Sequence, residues 1–217
     1  TSVTGVQTCA LPISGLVAAR GYELGARTEW IPGLQSSLAL WKLNFDSELV
    51  YVGDAGATEP NRPSTRHGVE WNNRYVPLPW LLVDADLAWT HARFADDDPA
   101  GRRIPNAVDK VASLAVTARD LGPWSASVQW RYLGSGALIE DNSVRSSPSL
   151  TTNLRVTRQL WRGTELTLDA FNVFDRKVND IEYFYESQLP GEAAPVADKH
   201  VHPAEPRTLR LTLKFSI

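Results

Sequence analysis

Three groups of side chains in this 217-residue sequence could do chemistry. His200 and His202 stand two apart, with Asp198 and Glu205 close by. Two imidazoles and two carboxylates can hold a transition metal, although such groups in a loop are more often simply solvated. His67 and His91 fall on other predicted strands, so no further ligand joins them, and neither a metal centre nor a cofactor is expected. Tyr183, Phe184 and Tyr185 form an aromatic run. Their rings could bind a flat ligand such as a sugar or catecholate, or belong to an aromatic girdle. Asp96, Asp97 and Asp98, with Asp54 and Glu59, could offer oxygens to Ca²⁺, but EF-hand spacing is absent and a solvated acidic loop is the commoner outcome. No G-x-S-x-G, H-E-x-x-H or phosphate loop occurs, so no catalytic residue is assigned.

The elements that must position these groups show in the alternation of apolar and polar residues. At the end of the chain Leu209, Leu211, Leu213, Phe215 and Ile217 share one face of a predicted strand. Thr208, Arg210, Thr212, Lys214 and Ser216 share the other, so the strand separates an apolar medium from a polar one. The same division recurs over 81–90, 124–132, 153–160 and 165–170. Between residues 39 and 45, Ala39, Trp41, Leu43 and Phe45 oppose Lys42 and Asn44. Less regular strands are predicted near 18–29, 65–76 and 107–119, for a total of nine. The polar faces carry Asp84, Asp86, Arg131, Arg155 and Asp169, which are expected to point into a lumen.

Connection lengths give the architecture. Short ones near 31–34, 77–79, 120–123 and 161–163 alternate with long ones near 54–64, 95–105, 134–148 and 176–205. Tight turns on one side and long loops on the other mark an antiparallel up-and-down transmembrane β-barrel. A Greek-key sandwich has no reason to alternate so strictly. The longest connection precedes the last strand, as expected if that strand runs inward from the cell surface.

Composition agrees. No apolar stretch approaches the roughly 18 residues of a membrane-spanning helix. Net charge is −3, without a basic run, which argues against nucleic acid as a partner. Eight tryptophans and six tyrosines suit a large core or interfacial girdles. Cys9 is the sole cysteine, which excludes a disulfide framework within the chain. The segment 1–14 shows neither strand alternation nor a signal peptide's pattern, and is expected to be a non-native or disordered leader; residues 15–217 are expected to form the barrel portion.

Several motifs then resemble the TonB-dependent outer-membrane receptor family. They are the strand and loop from Trp41 to Gly56, Arg62-Pro-Ser-Thr-Arg-His-Gly-Val-Glu70, Ile104-Pro105, Arg131-Tyr-Leu-Gly134, Leu168-Asp-Ala-Phe-Asn-Val-Phe-Asp175 and His202-Pro-Ala-Glu-Pro-Arg207. The resemblance spans about residues 18–217. It implies about nine C-terminal strands of a 22-stranded barrel in the bacterial outer membrane. The rest of that barrel, a plug domain and the contact with TonB would belong to an N-terminal part outside this sequence. It also implies uptake of a small ligand of the siderophore, cobalamin or oligosaccharide class, with outer-membrane lipid and the barrel-assembly machinery as further partners. The family's final aromatic residue, an assembly signal, is matched by Phe215 three places from the end. Two other readings stay open: a complete small barrel acting as porin or adhesin, and a soluble carbohydrate-binding β-sandwich.

Overall fold

The computed structural model describes residues 17–52 and 57–216. Cys9, Asp54, Ile217 and the 1–14 segment lie outside them. Thirteen strands are present among the described residues and nine make one sheet. These are β1 (Ala19–Thr28), β2 (Leu34–Phe45), β5 (Ser64–Leu78), β6 (Leu81–Phe94), β7 (Lys110–Leu121), β8 (Trp124–Leu133), β9 (Ser149–Trp161), β10 (Thr164–Phe171) and β13 (Thr208–Phe215). They pair in the order β1-β2-β5-β6-β7-β8-β9-β10-β13, each antiparallel to its neighbour, with β1 and β13 at the edges of an open wall. The remaining four strands form hairpins inside two long connections: β3 (Leu49–Val52) with β4 (Ala57–Pro60), and β11 (Asn179–Ser187) with β12 (Val196–Pro203). The alternation locates the nine wall strands, whereas both hairpins lie in stretches expected to be long loops.

Register fixes the two faces. Opposed residues in an antiparallel ladder point the same way, so Leu24, Leu40, Val69 and Trp89 form one outward row. Across the later strands Val128, Leu154, Ala170 and Leu209 form another. These side chains have no layer packed over them, and Leu24, Leu40, Leu154 and Leu209 are exposed. An apolar sheet face of this extent needs a non-aqueous neighbour.

The phase expected for β2 is wrong. Leu38 and Leu40 take the outward positions beside Trp71 and Val69, whereas Ala39, Trp41, Leu43 and Phe45 point to the polar face. Two glycines admit the large ones. A Cβ on Gly68 would lie 2.6 Å from Trp41 Cζ2, and one on Gly21 2.6 Å from Leu43 Cδ2. The indole and the leucine occupy space that any larger neighbour would fill.

Each of the four short turns carries an exposed tryptophan: Trp30, Trp80, Trp124 and Trp161. Indole rings prefer the boundary between hydrocarbon and water, so these turns mark one interface. Arg158 lies 5.0 Å over the Trp124 ring, a cation–π contact that keeps its charge at that boundary. At the opposite end, a small buried cluster of Ala92, Phe94 and Ile104 anchors the connection after β6.

Candidate functional site

The hairpin β11–β12 rises from the longest connection, and its foot is closed by one side chain. Asn172 adopts φ +48°, a left-handed conformation that asparagine tolerates better than most residues. Its Nδ2 donates to the carbonyls of Arg176 at 2.9 Å and Glu205 at 3.3 Å, and its Oδ1 accepts from Arg176 N at 2.9 Å. Asp175 Oδ1 accepts from Arg207 N at 3.0 Å. The Asn-Val-Phe-Asp run thus ties the outgoing strand to the returning one.

The hairpin's alternation divides the aromatic run. Tyr183 and Tyr185 share a face with Asp198, His200 and His202, while Phe184 lies on the other face with Glu182 and Lys199. Tyr185 and His200 stack with centroids 3.7 Å apart and planes 12° apart. The two histidines are therefore brought to one face, but His200 is engaged by a ring rather than by carboxylates. Glu205 lies away at the hairpin foot. Among the described residues no three His, Cys, Asp or Glu side chains converge as a metal site.

The opposite face docks onto the 134–148 connection. Glu182 is 5% exposed and accepts from Asn179 Nδ2 at 2.9 Å and Ser147 N at 3.2 Å. Lys199 Nζ stands 3.6 Å from Glu182 Oε2 and donates to the Arg145 carbonyl at 2.5 Å. Arg145 in turn holds Ser135 by bonds of 3.0 and 2.9 Å. Burial alone opposes ionisation of Glu182, but the donors from Asn179 and Ser147 and the Lys199 charge outweigh it. The carboxyl is held below its usual range.

A folded value below the unfolded one makes this docking strongest above the unfolded carboxylate value, about 4.3. The contribution is lost as pH falls through the lower folded value. Limited proteolysis at Lys199 and Arg145 should therefore quicken on acidification below about pH 4. In Glu182→Gln it should already be fast at neutral pH and lose its acid-induced step. Proteolysis of Glu182→Gln indistinguishable from the parent's would show that this contact does not hold the hairpin down.

The acidic run after β6 is also spoken for. Arg62 lies 4.0 Å over the Phe94 ring, with Asp96 at 3.6 Å and Asp98 at 3.4 Å from its guanidinium. Asp97 pairs with Arg102 at 3.0 Å. Each carboxylate faces an arginine, so this loop is not an open Ca²⁺ cradle.

On the polar face of the wall, Asp84 lies 3.9 Å from Arg74, and Asp86 opposes Asn72 and Ser113. Arg131 lies across from Ser113 and Thr151. Asp169 is buried between Arg155, whose Nε is at 2.6 Å, and Arg210, whose Nη2 is at 3.0 Å. The sequence singles out Asp169 and Arg155 on the polar face, but Arg210 as a second partner of Asp169 emerges only from the β10–β13 register. Phe215 sits on the outward face opposite Thr164.

A family model described as TonB dependent receptor-like, beta-barrel, matches residues 18–173. No curated protein sequence matches the chain. Among solved structures, the ferric yersiniabactin uptake receptor FyuA from Yersinia pestis is similar at 18% identity with a TM-score of 0.72, over 94% of this chain and 32% of that one. The ferric citrate transporter FecA is similar at 20% identity and TM-score 0.68, over 91% and 31%. The ferric-catecholate import receptor Fiu from E. coli K12, in its closed form, is similar at 19% identity and TM-score 0.67, over 92% and 27%. The chain thus spans about a third of the length of these structures. They are receptors and transporters, not enzymes.

Proposed function

This chain belongs to the TonB-dependent receptor β-barrel family of the outer membrane, and on that premise we propose that it forms late wall strands and external loops of a receptor for a small extracellular ligand. The intact receptor takes up that ligand with energy relayed through TonB. Its plug domain and TonB-contacting segment belong to parts of the protein beyond this chain, and Phe215 serves the assembly machinery as a terminal signal. Siderophore, cobalamin and oligosaccharide ligands are all candidate cargoes. A ferric chelate is favoured, because the similar solved structures include receptors of ferric yersiniabactin, ferric citrate and ferric catecholates. Asp84, Asp86, Arg131, Arg155 and Asp169 line the lumen of the barrel.

One observation carries the assignment of a ligand-contacting surface. The hairpin is clamped at its foot by Asn172 and docked on its Glu182 face, which leaves Tyr183, Tyr185 and His200 together on the opposite face. Loops held on a rigid scaffold are where binding groups concentrate, and stacked rings offer a flat ligand contact area at small entropic cost. Phe184 supports the hairpin from behind.

The test uses the whole receptor and a panel of ferric catecholate, ferric citrate and cobalamin. Tyr185→Ala should weaken binding of the transported compound about two- to tenfold, and Phe184→Ala less. Uptake should vanish without TonB. TonB-independent passage of all three compounds would overturn the receptor assignment in favour of an open pore.

A further inference from the structure

We propose that His67 on β5 and His91 on β6 form a two-imidazole site for a divalent transition metal of the zinc class, an exchangeable clip across the outward face of the wall. Two of the chain's four histidines meet here as direct cross-strand partners. Their ring centroids lie 5.1 Å apart, with planes inclined at 43°. A zinc ion ~2.0–2.1 Å from each imidazole nitrogen lies about 3.2 Å from each ring centroid, and the tetrahedral angle then sets the centroids about 5.2 Å apart. A square-planar pair at right angles would need about 4.5 Å. The observed spacing is the tetrahedral one. The terminal torsion of histidine is broad, so one nitrogen of each ring can turn into the gap without moving the backbone. Among the described residues neither ring is held by a hydrogen bond.

The donor set decides which ions fit. Neutral imidazole suits zinc, nickel and copper, whereas calcium and magnesium want oxygen. No third His, Cys, Asp or Glu joins the pair among the described residues. The carboxylates of Glu48 and Asp109 are engaged elsewhere, by Arg66 and by Arg145 at 3.8 Å. Two protein ligands leave the other positions to water, so the ion exchanges instead of being locked in like a four-ligand structural zinc. Lys42, directly opposite His67, and Lys110, opposite Trp89, place like charge beside the ion and hold its affinity down.

Position gives the clip its effect. His91 stands two residues beyond Trp89 toward the long connection, and the Trp89 ring lies 6.0 Å from His67 and 6.4 Å from His91. The indole floors the site on the hydrocarbon side, while the exposed His67 opens it to water. The next residue, Ala92, belongs to the buried cluster with Phe94 and Ile104 that anchors the connection after β6. A metal bridging β5 and β6 at this level braces the foot of that connection from outside. Metal that binds only the folded wall also stabilises it by mass action. The site is independent of the ligand the receptor carries, because its rings face away from the lumen.

The test uses the whole receptor in non-ionic detergent at about pH 7.5, where an ordinary imidazole is neutral. Diethyl pyrocarbonate labels free imidazoles, and peptide mass mapping reads each histidine separately. Zinc chloride should slow the labelling of His67 and His91 together, with one shared midpoint, and calcium chloride should slow neither. His67→Gln should raise the zinc midpoint for His91 at least about tenfold, since loss of even an outer partner costs a metal site about 10–100-fold. His91→Gln should do the same to His67. If either variant fails to fold, as read by heat-modifiable gel mobility, the shared midpoint in the parent still carries the test. Lys42→Gln should lower that midpoint about two- to fivefold, because it removes a like charge. Separate midpoints for the two rings, protection of one ring only, or equal protection by calcium would overturn the proposal. So would weaker zinc binding in Lys42→Gln, which would mark the patch as an anion site.

Discussion

Leu40→Arg should destabilise the receptor by ~2–4 kcal/mol in lipid or detergent, the cost of an arginine on the hydrocarbon side near the middle of a strand. Leu40 lies midway along β2, in the row with Leu24 and Val69, and is 48% exposed although it is a leucine. The adjacent substitution, Ala39→Arg, should cost almost nothing. Ala39 points to the polar face across from Glu70, where water solvates a guanidinium and a carboxylate is at hand. Urea unfolding in detergent, followed by tryptophan fluorescence, compares the two. If Ala39→Arg proved the worse, the assignment of faces on β2 would be reversed.

The second large effect is expected at Asp169. Its carboxylate is 4% exposed and takes charge-assisted bonds from both neighbouring strands, Arg155 on β9 and Arg210 on β13. Asp169→Ala leaves two like charges facing each other across a missing partner, and should cost ~2–3 kcal/mol. Full burial of all three groups would raise that figure, but both arginines are more than half exposed and water screens them. The Arg74–Asp84 pair is the contrast. At 3.9 Å and partly exposed on both sides, its removal should change stability by less than about 1 kcal/mol. Equal small losses at both sites would mean that the lumen is wet enough to equalise them.

These two experiments mark what was legible in the sequence. Strands with one clean apolar face, such as Leu209 to Phe215, announce both their existence and their orientation, because every odd position must meet hydrocarbon. β2 does not: Leu38-Ala-Leu-Trp-Lys-Leu43 is apolar on both faces. The polarity of Lys42 and Asn44 then points the wrong way, since Lys42 sits on the outward face close to the aqueous boundary. The informative signal was in other strands, where Gly21 and Gly68 vacate the volume that Leu43 and Trp41 fill. Alternation is a local property, but which face a strand presents is set by its neighbours.

The candidate binding surface was legible only in part. Tyr183, Phe184 and Tyr185 drew notice as an aromatic run, yet a run of three cannot lie on one face of a strand. The split that sends Phe184 to the back follows once the segment is known to be β11. In sequence the neighbours of His200 are His202 and Asp198, a grouping that raises a metal site only as a minor alternative to solvated loop groups. In space its neighbour is the Tyr185 ring, and the pairing register of a hairpin cannot be read from spacing alone. His67 and His91, 24 positions apart in sequence, are cross-strand neighbours on β5 and β6, a pairing that spacing does not reveal.

The tryptophans at the short turns also act as a measuring rod. From Trp80 in the turn to Trp89 on β6 the chain advances nine residues, roughly 30 Å at about 3.3 Å per residue. A tilt near 40° reduces that to roughly 23 Å along the membrane normal, close to the ~25 Å apolar band of outer-membrane barrels. The wall therefore has a built-in height at which it floats. Lengthening β6 and its partners by two residues between those indoles would not extend the loops. It would force the surrounding bilayer to thicken or the strands to lean further, and the receptor would settle in a different local thickness of membrane.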